Sequence, residues 1–118
     1  MTSDQTESNG FPGGAVAYTV HLMNSGSLAD TITLEALEVE PGWDVVLDED
    51  SFDLAGGESV DVTFWVMVPA GASVGDFDVF TLQAVSSHDP LKMSEVDFTT
   101  TVIESAQPQI YLPFINKP

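Results

Sequence analysis

The chain contains no cysteine and no arginine, and its lysines are Lys92 and Lys117 alone. Without a thiol there is no cysteine nucleophile, no zinc–thiolate centre and no disulfide framework. Compartment stays open on that count, because large exported bacterial proteins also manage without cysteine. The shortage of cations excludes more. With 19 acidic residues against 2 lysines, the formal net charge is −17. Nucleic acid and anionic lipid are held by Lys and Arg that displace counterions, so this surface repels both. The charge suits solubility, tolerance of high salt, or attraction of Ca²⁺ and basic partners. Its self-repulsion predicts that stability rises as salt screens it. No apolar run approaches the roughly 18 residues that span a bilayer. Residues 1–10 carry neither the basic start nor the apolar centre of a signal peptide, and read as polar linker in a domain cut from a longer polypeptide.

Apolar alternation is what the chain does have. Its apolar content of 43% is ordinary for a folded domain, and 118 residues suffice for one core without staples. From Val60 to Val68 every second residue is large and apolar: Val60, Val62, Phe64, Val66 and Val68. A period of two puts these on one buried face of a strand and Asp61, Thr63, Trp65 and Met67 on the other. Gly56-Gly57 and Pro69-Ala70-Gly71 close its two ends.

The rest of the chain can be arranged around this strand. Residues 1–13 are linker, closed by Phe11-Pro12-Gly13. Val16, Tyr18, Val20 and Leu22 share one face, with Ala17, Thr19 and His21 on the other. Ile32 and Leu34 point inward, and a break of phase across Ala36-Leu37-Glu38-Val39 predicts a bulge. Trp43, Val45 and Leu47 follow in phase after Pro41-Gly42, and Phe52 and Leu54 form a short strand. Phe77 and Val79 open a strand whose later inward residues, Leu82 and Ala84, are out of phase with them. A second bulge near Phe80 would reconcile the halves. Val96, Phe98, Thr100 and Val102 line the last strand. Seven strands, with turns between them and no useful helical period, predict an all-β fold: a seven-stranded immunoglobulin-like (fibronectin III-like) antiparallel β-sandwich over residues 14–104. Residues 105–118 form an apolar, Pro-punctuated tail.

The order Asn24-Ser25-Gly26, Pro41-Gly42-Trp43, Leu54-Ala55-Gly56-Gly57-Glu58, Val68-Pro69-Ala70-Gly71 and Gly75-Asp76-Phe77 resembles a known module. It is similar to the NEW3-type, alpha-galactosidase-associated, immunoglobulin/fibronectin-like domains of secreted bacterial hydrolases and surface proteins. The similarity covers about residues 12–103. It implies a non-catalytic accessory domain beside a catalytic or adhesive unit, with no catalytic residues to carry over. Two features depart from the pattern. Trp65 and Met67 stand where such domains usually have Thr or Ser, and the tail from Ile110 to Lys117 lies beyond the domain.

The candidate chemistry is thin. His21 and His88 are the only histidines, one on an outward strand position and one in a turn, and no Gly-x-Ser-x-Gly elbow is present. Solvated surface histidines are the simpler reading. Carboxylates are so abundant that pairing carries no information about glycosidase chemistry. No cofactor is expected, with Ca²⁺ as the one exception. Asp48, Asp50 and Asp53, with Glu49, lie close in sequence and could offer oxygens, although no Asp-x-Asp-x-Asp-Gly loop is present. Trp65 is the sharpest residue. Trp43 reads as core, whereas Trp65 and Met67 share an outward face. An exposed Trp there could stack on a sugar ring or meet another protein. The first expectation is that Tyr111 and Phe114 of the tail, or a neighbouring domain of the same polypeptide, cover it. An oligomer contact comes next, and sugar binding third. Together these readings describe a non-enzymatic spacer or presenting domain of a larger secreted or cell-surface bacterial protein, with a carbohydrate- or protein-binding module as the alternative.

Overall fold

The computed structural model describes residues 1–89 and 91–104. Two sheets face each other. Five strands lie in one: β1 (Glu7–Gly10), β8 (Met93–Val102), β7 (Phe77–Ser86), β3 (Asp30–Leu37) and β5 (Ser51–Leu54), in that spatial order. The other holds β2 (Ala15–Met23), β6 (Ser59–Met67) and β4 (Asp44–Val46). Every pairing is antiparallel except β1 with β8. This is the immunoglobulin-like sandwich that the alternation predicts, with one strand more than the seven.

The extra strand is β1, in the residues that composition reads as linker. Its inward slots hold Ser8 and Gly10, so it shows no apolar alternation. A Cβ on Gly10 would stand 2.7 Å from Val16 Cγ2 and 2.8 Å from Val68 Cγ2, so the strand approaches the core too closely for a side chain. Ahead of β1, Thr2 and His21 exchange both backbone hydrogen bonds, and Ser3 Oγ donates to the Thr19 carbonyl at 2.7 Å. The chain start thus leans on the edge of β2 and then crosses to the other sheet.

The long strand is as the sequence reads it. Val62, Phe64 and Val66 are buried, in register with Val20, Tyr18 and Val16 of β2. Four rings tie the two sheets together. Phe98 of β8 meets Tyr18 edge-on at 5.0 Å, Phe64 edge-on at 5.2 Å and Phe80 stacked at 5.5 Å between centroids. Such pairs contribute about 0.5–1.5 kcal/mol each beyond the area they bury. The phenol of Tyr18 is satisfied inside, donating to the Thr99 carbonyl at 2.9 Å and sharing a hydrogen bond of 2.8 Å with Thr100 Oγ1. Trp43 packs against the core, as expected.

Two local readings need correction. Neither predicted bulge is there. β3 keeps Ile32, Leu34 and Ala36 inward and then ends at Glu38, whose φ of 63° turns the chain in the left-handed region. The phase break across residues 36–39 is therefore a strand terminus. β7 runs unbroken, with Asp78, Phe80, Leu82 and Ala84 buried, while Phe77 and Val79 face outward and are exposed. The inward slot belongs to an acid. Asp78 is fully buried, and its Oδ1 accepts the Glu40 N–H at 2.9 Å, pinning the segment that crosses from β3 to β4. Its Oδ2 has no partner among the described residues. Burial, with the nearby Glu40 charge, pushes this carboxyl above its ordinary range.

Three outcomes follow. Phe98→Ala should cost about 3–5 kcal/mol, as for other buried Phe truncations, and lower the urea midpoint with little change in m. Gly56→Ala should cost about 1–3 kcal/mol, because its Cβ would lie 2.5 Å from the Ser27 carbonyl and backbone must move. The third concerns pH. A carboxyl raised in the fold gives stability that is full below the unfolded value of about 3.9 and lost as pH rises through the folded one. Chemical denaturation should therefore show Asp78→Asn flattening the decline of stability above pH about 4. An unchanged pH profile in that variant would count against a raised Asp78 carboxyl.

Candidate functional site

The outer face of the three-stranded sheet is the place the sequence marks. Its rows can be read from the register. Met23 pairs with Ser59, His21 with Asp61 and Thr19 with Thr63; next come Ala17, Trp65 and Val46, then Ala15, Met67 and Asp44. The first three rows are polar apart from Met23, with Thr19 and Thr63 hydroxyls 3.1 Å apart. The last two carry an apolar strip. Trp65 does face outward with Met67, as read, and its indole is half-buried between small Ala17 and exposed Val46. Met67 is 38% exposed. Tyr111 and Phe114, the tail residues expected to cover this strip, lie outside the described residues.

His21 is better connected than a free surface histidine. Its Nδ1 meets Asp61 Oδ1 across the strands, and its Nε2 lies 3.6 Å from Asp4 Oδ2. The hydrogen bond and charge of Asp61, and then Asp4, raise its pKa above the ordinary histidine value. The ring thus links the chain start to β2 and β6. Among the described residues its side-chain partners are the carboxylates of Asp61 and Asp4.

The acids do not gather. Asp48 and Asp50 are exposed in the connection before β5, and Asp53 sits on the outer face of β5, where it accepts the Thr31 hydroxyl at 2.6 Å. The Asp50 backbone carbonyl accepts the Leu34 N–H at 2.7 Å. Among the described residues no three of His, Asp and Glu converge to hold a metal ion, so the Asp48, Asp50 and Asp53 set is not brought together as a cage.

A depression of about 510 Å³ opens at one end, between the turn after β2 and the turn after β7. Asp30 and Asn24, two of its polar side chains, hold those turns. Asp30 accepts from the Ser86 and Ser87 hydroxyls and from the N–H groups of Thr31 and His88, and these bonds hold its carboxyl below the ordinary range. Asn24, itself buried, donates to the Leu28 and Leu54 carbonyls. Sequence reasoning missed Asp30 and Asp78, whose partners lie far along the chain. Asn24 carries a local signal, since its Oδ1 takes the Gly26 N–H in an Asn-x-Gly turn.

With this geometry in hand, comparison with known proteins is informative about the fold and the family. No curated protein matches the sequence. Solved structures match in shape at low identity. A family 123 glycoside hydrolase from Clostridium perfringens gives a TM-score of 0.65 at 10% identity, over 86% of this chain and 23% of that one. This chain therefore spans less than a quarter of the hydrolase. PapD-like domain 7 of human CEP192 gives 0.56 at 12% identity, over 88% and 84% of the two chains. The CupB2 chaperone of Pseudomonas aeruginosa gives 0.52 at 9% identity, over 92% and 57%. At these identities the likeness concerns the sandwich alone. In sequence, residues 11–86 match the model of the NPCBM-associated, NEW3 domain of alpha-galactosidase. The match takes in more than half of the chain and runs from the turn before β2 to the end of β7, and on it the chain belongs to the NEW3 domain family.

Proposed function

We propose that this NEW3 domain is a non-catalytic accessory module of a larger exported bacterial polypeptide, and that it acts by burying surface against a neighbouring unit. The observation that carries this reading is the apolar strip of Ala17, Trp65, Val46 and Met67, with Asp44 at its margin, on a face whose other rows are polar apart from Met23. Charge-depleted apolar rows are what the centre of an interface needs, whereas an acidic surface keeps the rest of the module solvated. The family name associates these domains with alpha-galactosidase, and a similar sandwich makes up part of a glycoside hydrolase. Both support an accessory place beside carbohydrate-processing units, and hence an extracellular or cell-surface setting. The described side chains add no nucleophile held by a base, and the histidine with charged partners lies open on a strand face.

A second reading has one observation in its favour. A half-exposed indole on a flat sheet face is also a platform for a sugar ring. In that case Trp65 is the ligand-binding residue and Met67 its flank.

Trp65→Ala separates the two. Under the packing reading neither form is retained on polysaccharide. The isolated variant then loses about 1 kcal/mol or less, the scale of its cross-strand pairs, while the module joined to its neighbouring unit loses more. Specific retention of the unsubstituted chain, abolished in Trp65→Ala with unchanged melting, would reverse the order of the readings.

A further inference from the structure

We propose that residues 110–115 of this chain dock on an apolar patch centred on Phe77 and Val79, at one end of the outer face of the five-stranded sheet. The patch comes from the unbroken phase of β7, which turns both residues outward. Phe77 is 61% exposed and Val79 42%, and Ile103, just past the end of β8, is 36% exposed. Register sets their surroundings. Phe77 stands in a row with Thr101 and Asn9, and Val79 in a row with Thr99 and Glu7. The only charge in these two rows is Glu7, on the edge strand.

The next rows along the same face are different. Thr81 donates to Asp97 at 2.7 Å, and Gln83 donates to Glu95 at 2.9 Å with Glu35 in register beside it. Charged and polar side-chain pairs thus occupy the middle of the face, while the end at Phe77 and Val79 has Glu7 alone, on the edge strand. In a chain with 19 acidic residues, two neighbouring rows holding an aromatic ring and a valine but just one peripheral acid stand out as a surface to be covered.

The occupant follows from where the described chain stops. The Ile103 N–H donates to the Gly10 carbonyl at 2.9 Å, and Val102 exchanges backbone bonds with Asp76 and Gly75. The chain therefore leaves the sandwich beside Phe77, on the patch's own edge. Residues 105–109 then intervene before Ile110. Five residues reach roughly 17 Å at about 3.4 Å each, and the Phe77 row lies one strand spacing, about 4.8 Å, from β8. A reversal onto the patch is well within that reach. Residues 110–115, Ile-Tyr-Leu-Pro-Phe-Ile, hold no charge at all, which matches the patch and would be mismatched over the Asp97 and Glu95 rows. The Trp65 strip belongs to the opposite sheet, and its indole is already half-covered by its own neighbours. Phe77, not Trp65, is thus the better partner for Tyr111 and Phe114.

The absence of cysteine makes the test clean. A nitroxide on Asn116→Cys in the full chain should broaden the amide signals of Val79, Thr99 and Thr101 until they lose most of their intensity, and leave those of Ala17 and Trp65 intact. The loss should not depend on protein concentration, and Phe77→Ser, at an exposed position, should restore the signals. Broadening centred on Trp65 and Met67, or no selective broadening, overturns the proposal. So does comparable broadening in a mixture of separately spin-labelled and isotope-labelled chains, because a second copy is then the occupant.

Discussion

The contact of Phe98 with Tyr18, Phe64 and Phe80 is what joins the two sheets. Tyr18 and Phe64 come from the three-stranded sheet and Phe80 and Phe98 from the five-stranded one, so the cluster closes only when both sheets exist. It also sets phase. With Phe80 and Phe98 fixed inward, β7 and β8 have no choice about Asp78 and Thr100 inside or about Phe77 and Thr101 outside. The buried polar groups are the consequence of that phase, and each has an arrangement to match. Thr100 answers the Tyr18 phenol, and Asp78 takes the Glu40 N–H. A buried acid without a second partner stays folded most easily as the neutral form.

The same phase makes the two outer faces unequal along their length. On each sheet the polar and charged pairs lie toward one end: His21 with Asp61, Thr81 with Asp97, Gln83 with Glu95. The apolar rows, Trp65 and Met67 on one sheet and Phe77 and Val79 on the other, lie toward the end where Gly10, Val68 and Ile103 meet. At a net charge of −17 the module repels most surfaces it meets, and these rows are where approach costs least. For the proposed accessory role these rows are the contact end, with Glu7 and Asp44 as the acids at their margins.

How much of this was legible in the sequence depended on distance along the chain. The alternation of β2, β6 and β8 is local, and it delivered the sandwich and the outward Trp65. The NEW3 resemblance rested on turn residues such as Asn24-Ser25-Gly26 and Pro41-Gly42-Trp43, which are local too. β1 reads as linker because a strand with Ser8 and Gly10 inward has no hydrophobic period; its place is decided by β8, some ninety residues on. Asp78 misled the phase of β7 because pattern reasoning assigns a carboxylate to solvent, and only the crossing from β3 to β4 supplies its donor. Glu38 misled β3 for a related reason, since a left-handed non-glycine residue ends a strand without a sequence signal. The exposed Phe77 patch was hidden by the same error that hid Asp78.

The central claim is that the apolar outer strip is a contact surface and not a catalytic or solvated one. Oxidative footprinting of Met67 and Trp65 tests it most directly, comparing the isolated chain with the polypeptide that includes its neighbouring unit. Both side chains should react readily in the isolated chain and be protected several-fold in the longer one. Equal reactivity of Met67 and Trp65 in the two would contradict the claim.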